Sequence, residues 1–143
     1  EEFLPSVRFV QDNESKSTRG VLRGLHFQRS PHAQAKLLRV IQGAIWDVAV
    51  DLRPQSKTFQ QFCFTELSAT NHHQYYVPRG FAHGFIVLSD TAVVAYKTDN
   101  FYHYKSDAGI HPHDPDLNIP WPLPSEEHIM SDKDLSLPFL SSI

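Results

Sequence analysis

The chain has 143 residues, the size of one domain with a sizeable core, and its hydrophobic content of 41% is typical of folded globular proteins. Its formal net charge is −3 and it has no long basic run, which argues against a nucleic-acid-binding protein. Cys63 is the only cysteine, so it excludes an intramolecular disulfide and favours a cytoplasmic protein. No apolar run approaches the roughly 20 residues of a membrane span, and no signal peptide is recognisable.

The first predicted element is a short strand at residues 6–10, where apolar and polar residues alternate. Residues 11–19 are a polar stretch rich in turn-forming residues, which predicts turns. The run R-G-V-L-R-G-L-H-F-Q at residues 19–28 is then predicted to be a strand that places His26 among apolar side chains. Arg23 lies three residues before His26, so an anion-binding group and a potential base are close in the chain.

Short strands continue along the chain and are predicted at residues 36–41, 44–51, 61–67, 74–77, 85–88 and 91–98. Gln42-Gly43 predicts a tight β-hairpin, and the P-R-G-F-A-H run at residues 78–83 predicts a turn. From His111 onward the chain is proline-rich and is predicted to be mainly loop, with a short helix near residues 125–128. Many short strands with Gly/Pro turns and no sustained helical period predict an all-β sandwich or barrel in one domain.

Five groups of side chains are candidates for chemistry: His26 with Arg23, Lys36, His83, Tyr96 with Lys97, and Lys133 with Asp134. Inward-facing positions of separate strands converge in a β-barrel, so residues far apart in the chain can share a pocket. A histidine with a carboxylate partner is a strong base, a lysine can stabilise an oxyanion, and a tyrosine can transfer a proton. His26, His83 and Tyr96 also have a structural interpretation, as packed histidines and a core tyrosine.

Metal binding is the main alternative, because the chain has nine histidines and imidazole binds many transition metals. However, the sequence contains no H-E-x-x-H motif. His72 and His73 are adjacent, so in a strand they would face opposite sides. Most of the histidines are therefore predicted to be surface residues, and no metal site is predicted.

A set of motifs stands in collinear order along the chain. They are Q-D-N (11–13), V-L-R-G-L-H-F-Q (21–28), A-Q-A-K-L-L-R-V (33–40), D-V-A-V-D-L-R (47–53), P-R-G-F-A-H-G-F (78–85), A-Y-K (95–97), I-P-W-P (119–122) and S-D-K-D (131–134). This set resembles the dTDP-4-dehydrorhamnose 3,5-epimerase family over nearly the whole chain. The resemblance implies a cupin-like jelly roll, also described as a double-stranded β-helix barrel. It also implies a homodimer that needs no metal or organic cofactor.

The resemblance further implies a thymidine-diphosphate (dTDP) 4-keto-6-deoxyhexose as substrate. Its C4 ketone acidifies the hydrogens on C3 and C5, so removing one gives an enolate, and reprotonation from the opposite face inverts the centre. By the match to the family's motifs, the implied catalytic residues are the base His26, its orienting carboxylate Asp134, the acid Tyr96 and the oxyanion-stabilising Lys36. The implied substrate-binding residues are Arg23, Gln11, Asp12, Asn13, His83, Tyr102, Asp107 and Lys133.

The sequence departs from the family's pattern in three places. The family has a further N-terminal segment, with an R-G-x-F-x-E motif, that reaches the partner's nucleotide site. We expect residues 1–143 to be one epimerase domain without that segment. Asp107 stands where the family usually has glutamate, and residues 109–114 (G-I-H-P-H-D) replace a segment that usually carries a tryptophan.

Three alternatives to a double epimerase stay open at this point. The first is an epimerase that acts at C3 or C5 alone, which would use the same base, acid and lysine. The second is a metal-dependent cupin enzyme with His26 and His83 as ligands. The third is a sugar-nucleotide-binding module without catalysis, which would have no need of all four catalytic residues.

Overall fold

The computed structural model describes Leu4 and residues 6–143, and in this part of the chain almost all regular structure is β. The strands are β1 (Gln11–Thr18), β2 (Leu22–Gln28), β3 (Lys36–Gln42), β4 (Ala44–Asp51), β5 (Phe62–Ser68), β6 (Gln74–Val77), β7 (Phe81–Val87), β8 (Thr91–Thr98) and β9 (Asp107–Gly109). A one-turn helix, α1, spans Asp132–Leu135, and 3₁₀ turns lie at Tyr104–Ser106, Ser125–Glu127 and Leu140–Ser142.

The strands form two antiparallel sheets, one in the order β1-β8-β3-β6 and the other in the order β5-β4-β7-β2-β9. An apolar core fills the space between the sheets, with buried residues that include Leu38, Val40 and Val94 from the first sheet and Ile45 and Val87 from the second. A second apolar cluster lies between the outer face of the second sheet and the C-terminal tail, and includes Leu25, Val48, Val50, Ile110 and Leu117. The predicted all-β, cupin-like jelly roll is confirmed.

The hairpin predicted at Gln42-Gly43 is wrong, because β3 and β4 belong to different sheets. β3 pairs with β6 and β8, whereas β4 pairs with β5 and β7. Gly43 has φ +81°, a conformation that glycine adopts without steric cost. A glycine turn between two strands is therefore also compatible with a corner that carries the chain from one sheet to the other.

The strand predicted at residues 6–10 and the turns predicted at residues 11–19 are also wrong. Residues 6–10 are irregular, and the polar stretch is β1, paired with β8 from Gln11 opposite Thr98 to Thr18 opposite Thr91. Along β1 the odd-numbered residues are half-buried or buried, whereas the even-numbered residues are exposed. The inward-facing side chains are polar because they border a cavity, so β1 lacks the apolar alternation that marks an ordinary half-buried strand.

The turn predicted at residues 78–83 is shorter than expected. Strand β7 begins at Phe81, so His83 lies within a central strand of the second sheet. The short helix predicted near residues 125–128 is present as a 3₁₀ turn, and the strands predicted at residues 74–77 and 91–98 have the predicted bounds. Within the described residues, no helix has both the length and the apolar character needed to cross a membrane.

Candidate active site

Two adjoining cavities lie beside the apolar core, with volumes of about 630 Å³ and 390 Å³. All four predicted catalytic residues line the larger cavity: His26, Lys36, Tyr96 and Asp134. The predicted binding residues Arg23, Asn13, His83 and Lys133 line it too, and Gln11, Tyr102 and Asp107 line the smaller one. The structure therefore brings together residues from the two ends of the chain.

A β-bulge in β2 directs His26 toward the larger cavity. Arg23 pairs with Phe85 and His26 pairs with His83, so the register shifts by one residue between them. In a regular strand, two residues three positions apart face opposite sides, but the extra residue brings Arg23 and His26 to the same side. Gly24 forms this bulge with φ +117°, and a Cβ there would lie 2.7 Å from the carbonyl oxygen of His83. The second glycine of the motif is therefore required for the orientation of His26.

Asp134 is the hydrogen-bond partner of His26. Its Oδ1 lies 2.9 Å from His26 Nε2, and its Oδ2 accepts a hydrogen bond of 3.0 Å from the backbone N–H of Gly24. Burial raises the pKa of the Asp134 carboxyl, but the hydrogen bonds from His26 and Gly24 outweigh burial, so its pKa is lowered overall. An ionised Asp134 can stabilise a protonated His26.

The second ring nitrogen of His26 is left with a lone pair. When Nε2–H donates to Asp134, Nδ1 is the unprotonated nitrogen of the neutral ring. Nδ1 is buried and has no hydrogen-bond partner among the described residues. The His26 side chain as a whole is 29% exposed, through the cavity. The ring can therefore accept a proton while Asp134 fixes its tautomer.

Residues 129–134, which we call the strap, position Asp134. Ile129 donates its N–H to the carbonyl of Gly20 and accepts from the N–H of Leu22, both at 2.9 Å, so the strap joins the chain just before the bulge. The Ser131 side chain caps α1 by accepting from the N–H of Asp134. These contacts hold Asp134 beside His26, although the two residues are 108 positions apart.

Tyr96 and Lys36 occupy the opposite wall, which the first sheet forms. Tyr96 is on β8, between Asn13 of β1 and Leu38 of β3, and the Lys36 ammonium lies 6.0 Å from the centre of the Tyr96 ring. Burial raises the pKa of the Tyr96 hydroxyl, so this group holds its proton at neutral pH. Burial also lowers the pKa of Lys36 to about 8, against the attraction of Asp47 and Asp107.

A second His–Asp pair adjoins the first. His83 Nε2 lies 2.8 Å and 3.0 Å from the two carboxylate oxygens of Asp47, and both residues are buried. Burial lowers the pKa of His83 and raises the pKa of Asp47, in each case against the attraction between the two. The sequence interpretation missed Asp47, although an acidic residue at an inward-facing position of an otherwise apolar strand is a usable signal.

The smaller cavity has a charged rim. Lys133 Nζ donates to Asp107 Oδ2 at 2.6 Å, and the Tyr102 hydroxyl donates to the same oxygen at 3.2 Å. The hydrogen bond to Asp107 raises the pKa of Lys133. On the larger cavity, the Arg23 guanidinium donates to the Ser17 hydroxyl from two nitrogens, at 3.1 Å and 2.9 Å. Arg23 and Lys133 thus border the cavities as cations, in addition to Lys36.

Asp12 is the predicted binding residue that the structure does not bring to these cavities. Its side chain is 76% exposed and forms an ion pair of 2.7 Å with Lys97 on the outer face of the first sheet. The reason is the alternation of β1: Gln11 and Asn13 point inward, so Asp12 between them points outward. The expectation that the whole Q-D-N motif lines the site is corrected for its middle residue.

The metal-dependent alternative finds no support in the arrangement of side chains. In the part of the chain that the structure describes, no group of three or more His, Cys, Asp or Glu side chains is arranged to hold a metal ion. His26 and His83, the two histidines of that alternative, each direct Nε2 at a carboxylate.

Comparison with known proteins shows which family the chain belongs to. The model of the dTDP-4-dehydrorhamnose 3,5-epimerase family matches residues 1–142. The dTDP-4-dehydrorhamnose 3,5-epimerase of Shigella flexneri is 52% identical over 130 residues, which are 91% of this chain and 71% of that protein. The chain belongs to the dTDP-4-dehydrorhamnose 3,5-epimerase family. Members of this family are isomerases that act on sugar nucleotides, and this chain is an isomerase of the same kind.

Solved structures of family members share the fold. The dTDP-4-dehydrorhamnose 3,5-epimerase from Elizabethkingia anophelis is 55% identical, with a TM-score of 0.94 over 94% of this chain and 74% of that chain. The dTDP-6-deoxy-D-glucose-3,5-epimerase from Legionella pneumophila, solved in complex with dTDP-4-keto-L-rhamnose, is 48% identical. Its TM-score is 0.94 over 99% of this chain and 75% of that chain.

Proposed function

We propose that this chain inverts C3 and C5 of dTDP-4-dehydro-6-deoxy-D-glucose and forms dTDP-4-dehydro-L-rhamnose, a step of dTDP-rhamnose biosynthesis. One observation carries the proposal: a His–Asp pair and a half-buried tyrosine lie on opposite walls of one cavity, with a half-buried lysine beside the tyrosine. Inversion at a carbon next to a ketone requires a base on one face, an acid on the other and a cation near the enolate oxygen.

His26 acts as the base in this proposal. It takes the proton from C3 or C5, and the electron pair of the broken C–H bond moves toward the C4 carbonyl to give the enolate. The imidazolium that forms is stabilised by Asp134, whose lowered pKa keeps it ionised at neutral pH. A base positioned in this way typically increases the reaction rate by a factor on the order of 10²–10⁴.

Lys36 and Tyr96 complete the reaction from the first sheet. The Lys36 ammonium stabilises the negative charge on O4 of the enolate, in a partly desolvated setting that strengthens the interaction. Tyr96 then donates its proton to the opposite face of the same carbon, which inverts the centre. His26 then releases its proton to solvent and Tyr96 regains one from solvent, so the same set serves both carbons if the sugar presents C3 and C5 in turn.

The proposed binding residues divide by chemistry. Arg23 and Lys133 supply positive charge for the diphosphate, and the exposed ring of Tyr102 supplies a stacking surface for the thymine. The remaining proposed contacts are polar and come from Gln11, Asn13, His83 and Asp107. No metal or organic cofactor has a role in this reaction scheme.

The assembly and location belong to the same proposal. We propose a homodimer of one-domain subunits in the cytoplasm, on the family resemblance and on the presence of a single cysteine. Light scattering coupled to size-exclusion chromatography tests the assembly: a mass of two chains is expected, and a mass of one chain would contradict the dimer.

Incubation with dTDP-4-keto-6-deoxyglucose in D₂O, followed by NMR, tests the activity. Deuterium is expected at both C3 and C5, together with the L-rhamno product. Exchange at only one carbon would identify an epimerase specific for that position, and binding without exchange would identify a binding module. Activity that is lost with a chelator and restored by a metal ion would identify the metal-dependent alternative.

The variant His26→Ala tests the identity of the base in the same experiment. It is expected to lose most of the exchange while its affinity for the substrate stays within about tenfold, roughly 1.4 kcal/mol. Exchange near the full rate in this variant would assign the base to another residue.

A further inference from the structure

Gln28 is a buried polar side chain that the mechanism above does not use. It ends β2, two residues after His26, and it is only 6% exposed. Its amide makes three hydrogen bonds: Nε2 donates to the carbonyls of His32 at 2.6 Å and Phe101 at 3.3 Å, and Oε1 accepts from the N–H of His103 at 2.8 Å. One side chain therefore holds the backbone on both sides of Tyr102.

The loop that Gln28 holds contributes Tyr102 to the lining of the smaller cavity, which Gln28 also lines. From the first sheet, Gln11 accepts a hydrogen bond of 3.3 Å from the N–H of Tyr102. Gln28 belongs to the second sheet, so residues 101–103 connect the two sheets. The Tyr102 side chain is 55% exposed, and its only hydrogen bond among the described residues is to Asp107. Its orientation therefore depends on the backbone that carries it.

The chemistry of this position requires an amide. The carbonyl of Phe101 needs a donor and the N–H of His103 needs an acceptor, and a neutral amide offers both. An ionised glutamate would present only acceptors to the two carbonyls, and an apolar side chain would leave all three backbone groups without this partner.

We propose that Gln28 is a positioning residue for nucleotide recognition: it fixes the loop of residues 101–103 so that Tyr102 is preorganised to stack on the thymine base. The inference rests on the proposed function, because it takes dTDP as the ligand. Gln28 lies on the same strand, β2, as the base His26, and it holds the loop that carries Tyr102. In this proposal the strand therefore fixes the distance between the residue that acts on the sugar and the residue that stacks on the nucleobase.

Calorimetric titration of the full chain with dTDP, and separately with inorganic pyrophosphate, tests this inference. Gln28→Ala and Tyr102→Ala are each expected to weaken dTDP binding about tenfold, a loss within the range of one base–aromatic stack. The double variant is expected to be no weaker than the weaker single variant, because both changes remove the same contact. Pyrophosphate binding is expected to change less than about twofold, since this probe has no base to stack.

Asn71→Ala is the matched control. The Asn71 amide also makes three hydrogen bonds that hold a loop, with the N–H groups of Ser68 and His73 and the carbonyl of Glu66, but it lines neither cavity. The loss of the Asn71 side chain is expected to lower the melting temperature and to leave the affinity for dTDP unchanged. A drop in dTDP affinity equal to that of Gln28→Ala would attribute both effects to general destabilisation and overturn the inference.

Three further results would overturn it: unchanged dTDP affinity in Gln28→Ala, effects of Gln28→Ala and Tyr102→Ala that multiply in the double variant, or an equal loss of pyrophosphate binding. If Gln28→Ala does not fold, Gln28→Glu replaces it, with the same loss of dTDP affinity expected and wild-type affinity contradicting the inference. All these readouts are of binding alone. A chain that binds dTDP through Tyr102 but exchanges no deuterium would therefore refute the epimerase and leave this inference intact.

Discussion

Two His–Asp pairs lie side by side in this protein, and they differ in access. His26 and His83 face each other across β2 and β7, and each directs Nε2 at a carboxylate within 3.0 Å. The His26 side chain is 29% exposed through the cavity, whereas that of His83 is 8% exposed. Burial raises the pKa of Asp47, while hydrogen bonds lower that of Asp134 despite burial.

The difference shows that a His–Asp pair is not by itself a catalytic feature. A base needs a ring that the substrate can approach and a partner carboxylate that stays ionised. The His26 ring borders the cavity and the pKa of Asp134 is lowered, so this pair meets both conditions. The buried pair of His83 and Asp47 satisfies two polar groups in the core, beside Lys36. We therefore expect changes in the first pair to alter the rate and changes in the second to alter stability.

The largest expected effect comes from removing the base. His26→Gln should lower the rate of deuterium exchange by about 10²–10⁴ and leave the melting temperature near that of the wild type. The matched change His83→Gln should lower the melting temperature and cost less in exchange at saturating substrate. Equal losses of exchange in the two variants would contradict the division of roles between the pairs.

The second prediction concerns stability. Asp47→Ala should lower the free energy of unfolding by about 1–3 kcal/mol, because it leaves the buried ring nitrogen of His83 without its hydrogen-bond partner. Urea denaturation gives the value directly. Asp12→Ala, which breaks the exposed ion pair with Lys97, should cost less than about 1 kcal/mol and serves as the control. A cost for Asp47→Ala as small as that of the control would contradict the structural role of the buried pair.

The third prediction concerns pH. Burial lowers the pKa of Lys36 from its usual 10.5 to about 8, so the ammonium that stabilises the enolate is lost, and the rate falls, as the pH rises through about 8. Since the unfolded chain binds this proton more tightly, Lys36 makes stability rise between pH 8 and 10.5. Lys36→Met should lower the exchange rate by about 10²–10³ and remove the alkaline limb of the pH–rate profile. An unchanged limb in Lys36→Met would assign it to another group.

The sequence was sufficient to predict the fold class and to single out the residues that meet at the site. His26, Lys36, Tyr96 and Asp134 lie in motifs whose order and residue types are specific, and the structure gathers them around one cavity. The convergence of inward-facing positions in a barrel explains why residues so distant in the chain can do this.

The features that the sequence did not reveal depend on pairing between distant segments. The sequence predicts turns over β1 because the inward-facing residues of this strand are polar and face a cavity. The match to the family motif includes Asp12, but it does not show that Asp12 lies between two inward-facing residues and therefore points outward. The bulge at Gly24 appears only in the register between β2 and β7. The glycine turn at Gly43 predicts a hairpin, but such a turn does not specify which sheet the next strand joins.

The central claim is that the base and the acid act from opposite walls, His26 from the second sheet and Tyr96 from the first. The most direct test measures exchange and inversion separately, by NMR in D₂O, in the variant Tyr96→Phe. With His26 intact and the opposite donor removed, deuterium should still enter at C3 or C5 with retention of configuration, while the inverted product is not formed. Inverted product at the wild-type rate in Tyr96→Phe would contradict the claim.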